Sequence, residues 1–287
     1  MTTATQYLWG VTDPMPEMPE VETIARKLRR SVVGSSVSEV RLSGLSLRKP
    51  VAASFAGILT GRRIARIRRR GKYLIFELEP RAYLLIHLGM SGRVFHHRRA
   101  GEPSRHTHAV ISLSDGSILE YQDPRRFGLL AAYDVRRMDE IPELGRLGKD
   151  PLSAGFDTEW LWPLISRSRC DIKSFLLDQR RIAGLGNIYV CEALFRAKIH
   201  PARRCHRLRR EEVGSLVRSI RRVLRTAIRN QGTTFSDFTA SDGTPGSNQR
   251  CLRVFQREGG RCRRCSARIR RLRQGNRSSY YCPGCQK

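Results

Sequence analysis

The sequence predicts an α+β protein: one helix packed on an antiparallel β-sandwich, then a helical domain that ends in a small cysteine-paired module. Three observations carry this. A segment of helical period near the start is followed by seven short runs of strand period. Residues 158–230 return to helical period. Four of the eight cysteines close the chain as two Cys-x2-Cys pairs.

The first helix rests on Val21, Ile24, Ala25 and Leu28, which share one face. Pro19 suits a first turn, basic residues take the C-terminal end, and Gly34 supplies the stop. The period then shortens to two. Strands are expected over 37–42, 63–67, 73–78, 83–88, 109–113, 117–121 and 128–133, with a hairpin at Asp115-Gly116. A lone helix followed by many strands buries its apolar stripe on a sheet. Beyond Asp134 the pattern is irregular as far as Pro151. Helices are expected over 158–167, 171–178, 187–197 and 209–230; the last sets Val213, Leu216, Val217, Ile220, Leu224 and Ile228 against an arginine face. Residues 232–249, rich in Gly, Ser, Thr and Asp, read as a mobile loop. The first 14 residues read as a polar, flexible arm, without the basic and apolar regions of a signal or transit peptide. The expected divisions are an extension (1–15), a sandwich domain (16–135), a helical domain (136–249) and a terminal module (250–287).

Lys and Arg number 54 against 26 Asp and Glu, a net charge of +28. That excess points to a polyanion, nucleic acid first, with a ribosomal or generally adhesive basic protein as the plain alternative. Arginine far outnumbers lysine and suits bidentate phosphate contacts. No apolar run reaches the roughly 18 residues of a membrane-spanning helix. The cysteine pattern suits metal binding in a reducing, cytoplasmic compartment better than a disulfide framework.

Cys262, Cys265, Cys282 and Cys285 offer four thiolates at the spacing that tetrahedral Zn²⁺ takes in structural sites. A module of this size has too little core to fold alone, so the metal supplies the missing stability. Arginines crowd it, among them Arg261, Arg263, Arg264 and Arg277, and read as a clamp on a nucleic-acid backbone. Gly184-Leu-Gly186-Asn187 permits a tight turn and close approach to a phosphate, as well as a plain helix–helix turn. Asp123-Pro-Arg125-Arg126-Phe127-Gly128 is a turn that holds either an outward Arg–aromatic pair or a core Phe. Met90, on the turn after His87, reads as core. His106 and His108 are two apart and are expected on one strand face. Finally, Met15-Pro16-Glu17 precedes the first helix. If Pro16 begins the working protein, its secondary amine is the most nucleophilic nitrogen in the chain near neutral pH.

Together MPEMPEVET, RRGKYL, HLGMSG, DPRRFG, LLDQ…AGLGNIYVCEALF and CxxC…YYCPGCQK resemble the formamidopyrimidine-DNA glycosylase family and its endonuclease VIII relatives, from Met15 to Lys287. Met18, where the endonuclease VIII branch usually has Gly, places the resemblance in the formamidopyrimidine branch. The resemblance implies a sandwich domain, a helix–two-turns–helix domain with a zinc finger, and damaged duplex DNA held between them by a monomer. It implies Pro16 as nucleophile, Glu17 as general acid/base and Lys72 as the lysine that reaches the lesion. Met90, Arg125 and Phe127 would fill the gap left by an everted nucleotide, which reverses the core reading of Met90. His106, Arg126, Lys173, Asn187 and Arg277 would contact phosphates. The implied activity is excision of oxidised purines followed by strand cleavage through a proline Schiff base. An oxidised-pyrimidine specificity, or damage binding without catalysis if the extension is retained, is the alternative. The chain departs from the family at Ser247-Asn248, after the Pro-Gly of the lesion-capping loop where an aromatic is frequent, and at Thr107, where an acid is common.

Overall fold

The structure, a computed structural model, describes residues 15–99, 101–235 and 239–287; the arm expected at 1–14 lies outside the described residues. Helix α1 (Met18–Ser31) opens the first lobe, and Gly34 (φ +100°) turns the chain after it. The strands that follow are β1 (Val37–Leu42), β2 (Arg63–Arg70), β3 (Tyr73–Glu79), β4 (Ala82–His87), β5 (Arg93–His97), β6 (Thr107–Leu113), β7 (Ile118–Gln122) and β8 (Leu129–Tyr133). They form two four-stranded antiparallel sheets, ordered β1-β6-β7-β5 and β2-β3-β4-β8. Between them Ile24 and Leu28 of α1 pack with Phe76, Leu84 and Ile111.

Among the elements that escaped the sequence reading, two lie between the expected strands. Helix α2 (Phe55–Leu59), between β1 and β2, buries only Phe55 and Leu59, too short a pattern to show a period. Strand β5 reads RVFHH and owes its place to pairing with β7 from Arg93↔Gln122 to His97↔Ile118. A third expectation is corrected. His106 and His108 do not share a face, because the β6–β7 register shifts between Thr107 and Ala109. His106 precedes the strand and is partly exposed, whereas His108 is buried with Nε2 3.0 Å from the Asp123 carbonyl.

Helix α3 (Pro142–Gly145) still packs on the first lobe, where Leu144 meets Ile75, Leu85 and Leu129; the second lobe comprises α4 (Thr158–Ser166), α5 (Ile172–Leu177), α6 (Asn187–Ala197) and α7 (Arg210–Arg229). Asp157 and Asp171 cap α4 and α5 by accepting from Trp160 N and Ser174 N. The finger hairpin β9 (Arg270–Gln274) and β10 (Arg277–Tyr281) lends Tyr280 to the helical core, which also takes Met18 from the start of α1. The described part of 232–249 is docked rather than free: Ser241 O accepts from His96 N at 2.8 Å, and Asp242 pairs with Lys27 at 2.7 Å.

Candidate active site

The start of α1 lies where the two lobes meet. Pro16 is buried, and Met18 N donates to Gly184 O at 3.1 Å. Glu20 reaches back to the Glu17 N–H at 2.9 Å, half of a capping box. The Glu17 carboxylate is thereby left to face the other lobe. It accepts from Ile188 N at 2.8 Å and Tyr189 N at 3.4 Å, at the N-terminus of α6. The glycine turn explains the fit. A Cβ on Gly186 would stand 2.3 Å from the Glu17 carboxyl carbon, and one on Gly184 would stand 2.9 Å from Met18 Cβ. The anion that this turn meets in the structure is the Glu17 side chain.

Burial dominates the electrostatics. It raises Glu17 above the usual carboxylate range, with the Lys72 charge and the α6 N–H groups opposing. Glu20 accepts from Tyr189 Oη and Thr233 N, yet burial and the Glu17 charge raise it to about 7. Lys72 is pulled down by burial and Arg277, against the pull of Glu17. Two carboxyl groups thus share one buried ammonium, an arrangement that keeps a proton available near neutral pH.

His87, not singled out in the sequence, joins this group. It pairs with Tyr73, the neighbour of Lys72, in the β3–β4 ladder. Burial and the Lys72 charge hold its imidazole near 3, so it is neutral, and its Nδ1 accepts from Gly89 N at 3.0 Å. Its position beside Lys72 across the ladder was the available signal.

The Met90 and Arg125–Phe127 turns form one unit. Buried Asp123 accepts from Ser91 Oγ at 2.6 Å and Gly128 N at 2.7 Å, and Ser91 Oγ accepts from Arg125 N at 3.1 Å. Gly89 (φ +61°) allows backbone contact, since a Cβ there would lie 2.5 Å from Phe127 C. Phe127 is exposed, with the Arg125 guanidinium 5.3 Å from its ring centroid, so the outward Arg–aromatic alternative is the one adopted. Arg126 (φ +59°) points to solvent beside them. His106 borders this unit: its carbonyl accepts from Asp123 N at 3.0 Å, and its Nε2 accepts from Arg105 Nε at 3.1 Å.

Lys173 and Asn187 seat the finger. Lys173 Nζ donates to Ser278 O at 2.9 Å and Ser279 Oγ at 2.6 Å, and Asn187 Nδ2 donates to Ser278 O at 3.0 Å. Arg277, exposed on the same hairpin, is near enough to lower both Lys72 and Lys173. In the finger the four Sγ atoms lie within 4.8 Å of one another, with contacts of 3.4 and 3.9 Å. A tetrahedral Zn–S site with bonds of about 2.3 Å sets sulfurs about 3.8 Å apart. Cys262, Cys265, Cys282 and Cys285 therefore fit one structural zinc with no open position.

A sandwich lobe and a helical lobe with a four-cysteine finger, closed on a buried Pro-Glu pair, define a DNA-glycosylase class of protein. Family models agree in the same order along the chain: the formamidopyrimidine-DNA glycosylase N-terminal domain over residues 15–130, its H2TH domain over 147–239, and the zinc finger found in FPG and IleRS over 259–287. The chain belongs to the formamidopyrimidine-DNA glycosylase family. It is 40% identical to the formamidopyrimidine-DNA glycosylase of Roseobacter denitrificans and 42% identical to that of Cereibacter sphaeroides, each over 95% of this chain and 100% of the relative. The crystal structure of MutM (Fpg) from Thermus thermophilus matches with TM-score 0.84 and 41% identity, over 94% of this chain and 98% of that one. Lactococcus lactis Fpg in complex with abasic-site DNA matches with TM-score 0.86 and 32% identity, over 95% and 100%.

Proposed function

We propose that this protein excises oxidised purines, formamidopyrimidines first and 8-oxoguanine with them, from duplex DNA and then cleaves the strand, acting as a monomer on nucleoid DNA. The observation that carries the reading is the Glu17 carboxyl group, buried beside Pro16 and Lys72 at the N-terminus of α6. Supporting it are the solved relatives of this fold in complex with abasic-site and Fapy-dG DNA.

In this reading Pro16 is the first residue of the working protein, whether translation starts at Met15 or the arm before it is removed; the family match begins at residue 15. Its free amine attacks C1′ of the everted nucleoside. The glycosidic C–N bond breaks and its electron pair leaves with the base. Glu17 protonates the opening ring oxygen, a role favoured by the burial that raises its pKa above the ordinary carboxylate value. The resulting iminium acidifies the C2′ proton, whose loss expels the 3′ phosphate; a second elimination expels the 5′ phosphate. Lys72 and Arg277 hold the flanking phosphates. His106, Arg126, Lys173 and Asn187 extend that contact, the last two through the finger hairpin. Met90, Arg125 and Phe127 enter the vacated stack.

The capping-loop departure bears on substrate. Asn248 is buried and donates to Thr233 Oγ1 at 2.9 Å, so its amide holds the loop and does not read a base. The test is borohydride trapping on an abasic-site duplex, with protein that begins at Pro16 and protein that retains residues 1–15. A covalent adduct from the first form alone is the expected result. Its absence from both refutes the proline chemistry and leaves damage binding without catalysis. Duplexes bearing oxidised purines and oxidised pyrimidines rank the two specificities.

A further inference from the structure

A second basic site lies away from the lobe junction. A cavity of about 450 Å³ opens between α6, α7, the segment 248–253 and the first cysteine knuckle of the finger. Arg196, Arg222, Arg253, Arg263 and Arg264 line it. Arg196 is nine residues past Asn187, hence about 13 Å along α6 and half a turn around it, facing away from the Glu17 end.

The charge in this cavity is only partly offset from within, since five arginines face one carboxylate, Glu192, whose charge acts on Arg253. Glu192 is the only acid among its lining residues, and that carboxylate is buried and committed to the N–H groups of Arg253, Val254 and Phe255 at 2.9–3.0 Å. Arg264 is held in place, stacked 4.7 Å from the Phe195 ring centroid. Arg196, Arg222, Arg253 and Arg263 have no ion-pair partner among the described residues, and each is exposed. Burial and the charges of Arg222, Arg264 and Arg253 lower the pKa of Arg196, as mutual repulsion around one space requires. Arg263 and Arg264 thus separate from the finger arginine nearest the active site, Arg277.

We propose that this cavity is a binding site for a compact polyphosphate anion, the class that carries a diphosphate or triphosphate group. Several guanidiniums around so small a volume need a ligand with closely spaced charges, and each guanidinium offers a donor fork that matches phosphoryl oxygens. An acidic peptide spaces its carboxylates about 3.5 Å apart along the chain and turns alternate ones away. A duplex is too stiff to follow a concave rim and meets it with only part of its backbone.

The test uses the full, zinc-loaded chain with the DNA cleft saturated by an abasic-analogue duplex. Inorganic tripolyphosphate is titrated in by calorimetry, with hexa-aspartate and a short oligothymidylate as parallel arms. One tripolyphosphate per chain is expected to bind with duplex present. The pair Arg222→Glu and Arg253→Glu should lower that affinity by about tenfold or more, since charged hydrogen bonds are lost. Arg225→Glu with Arg229→Glu, an equal charge change elsewhere on exposed α7, should lower it far less. Duplex affinity and cleavage rate should be unchanged in both pairs. Loss of tripolyphosphate binding when the duplex is present overturns the proposal, and so does equal weakening in both pairs. Tighter binding of hexa-aspartate or of the oligonucleotide reassigns the cavity to that ligand and also overturns it.

Discussion

At the scale of residues, two carboxyl groups three positions apart do different work because different elements surround them. Glu17 faces α6 and the Lys72 ammonium; Glu20 faces Glu17 N, Tyr189 and Thr233. Glu17→Gln keeps the acceptor oxygen and removes the proton donor. Base excision is expected to fall by about 10²–10⁴-fold, with duplex affinity retained, as measured by single-turnover kinetics beside a binding titration. Glu20 gives a pH prediction. Its folded pKa of about 7 lies above the ordinary 4.5, so it binds a proton in the fold that it has lost in the unfolded chain. Its contribution to stability is present in full below about 4.5 and is lost as pH rises through 7, a span on the order of 3 kcal/mol. Melting curves of the parent and Glu20→Gln from pH 5 to 8 should show the parent losing stability relative to the variant as pH rises. A constant difference across that range contradicts the shift.

At the scale of elements, local periodicity made most of the fold legible. The helices at 158–166, 187–197 and 210–229 and most of the strands follow from their own residues. Strand β5 and helix α2 do not, because their stability comes from neighbours distant in sequence. The site was legible as a set of residues and not as an arrangement. Nothing local says that Gly186 makes room for a carboxyl group from the other lobe, or that His87 stands beside Lys72. Asp123 is another such case, since it ties the two turns that carry Met90, Arg125 and Phe127. Asp123→Ala leaves the Ser91 hydroxyl and the Gly128 N–H without their acceptor inside the sheet edge. The expected cost is about 2–3 kcal/mol in thermal denaturation. Preference for lesion duplex over intact duplex should fall with it, because the turns lose their common anchor.

At the scale of the molecule, the finger is part of the helical core and not an appendage. Tyr280 and Ile269 pack with the helices, and Lys173 and Asn187 hold its hairpin by one carbonyl. Chelation, or Cys262→Ser, should lower the melting temperature of the whole chain and weaken duplex binding together. Calorimetry that shows a separate finger transition with the main one unchanged contradicts this coupling. Lys72 and Lys173 feel the same Arg277, so loss of the hairpin also moves the charge at the Glu17 end of α6.

The glycine turn at Gly184–Gly186 has one more consequence. Glu17 is held by the first lobe through its backbone and by the second through its carboxylate. Any hinge between the lobes therefore acts directly on the acidity of a single group: separation admits water, removes the α6 donors and resets its proton affinity. The alkaline limb of the pH–rate profile, where Glu17 loses the proton it donates, is in this way a strain gauge on the hinge. A ligand or substitution that spreads the lobes should register there as a displaced inflection before any bond to DNA is broken.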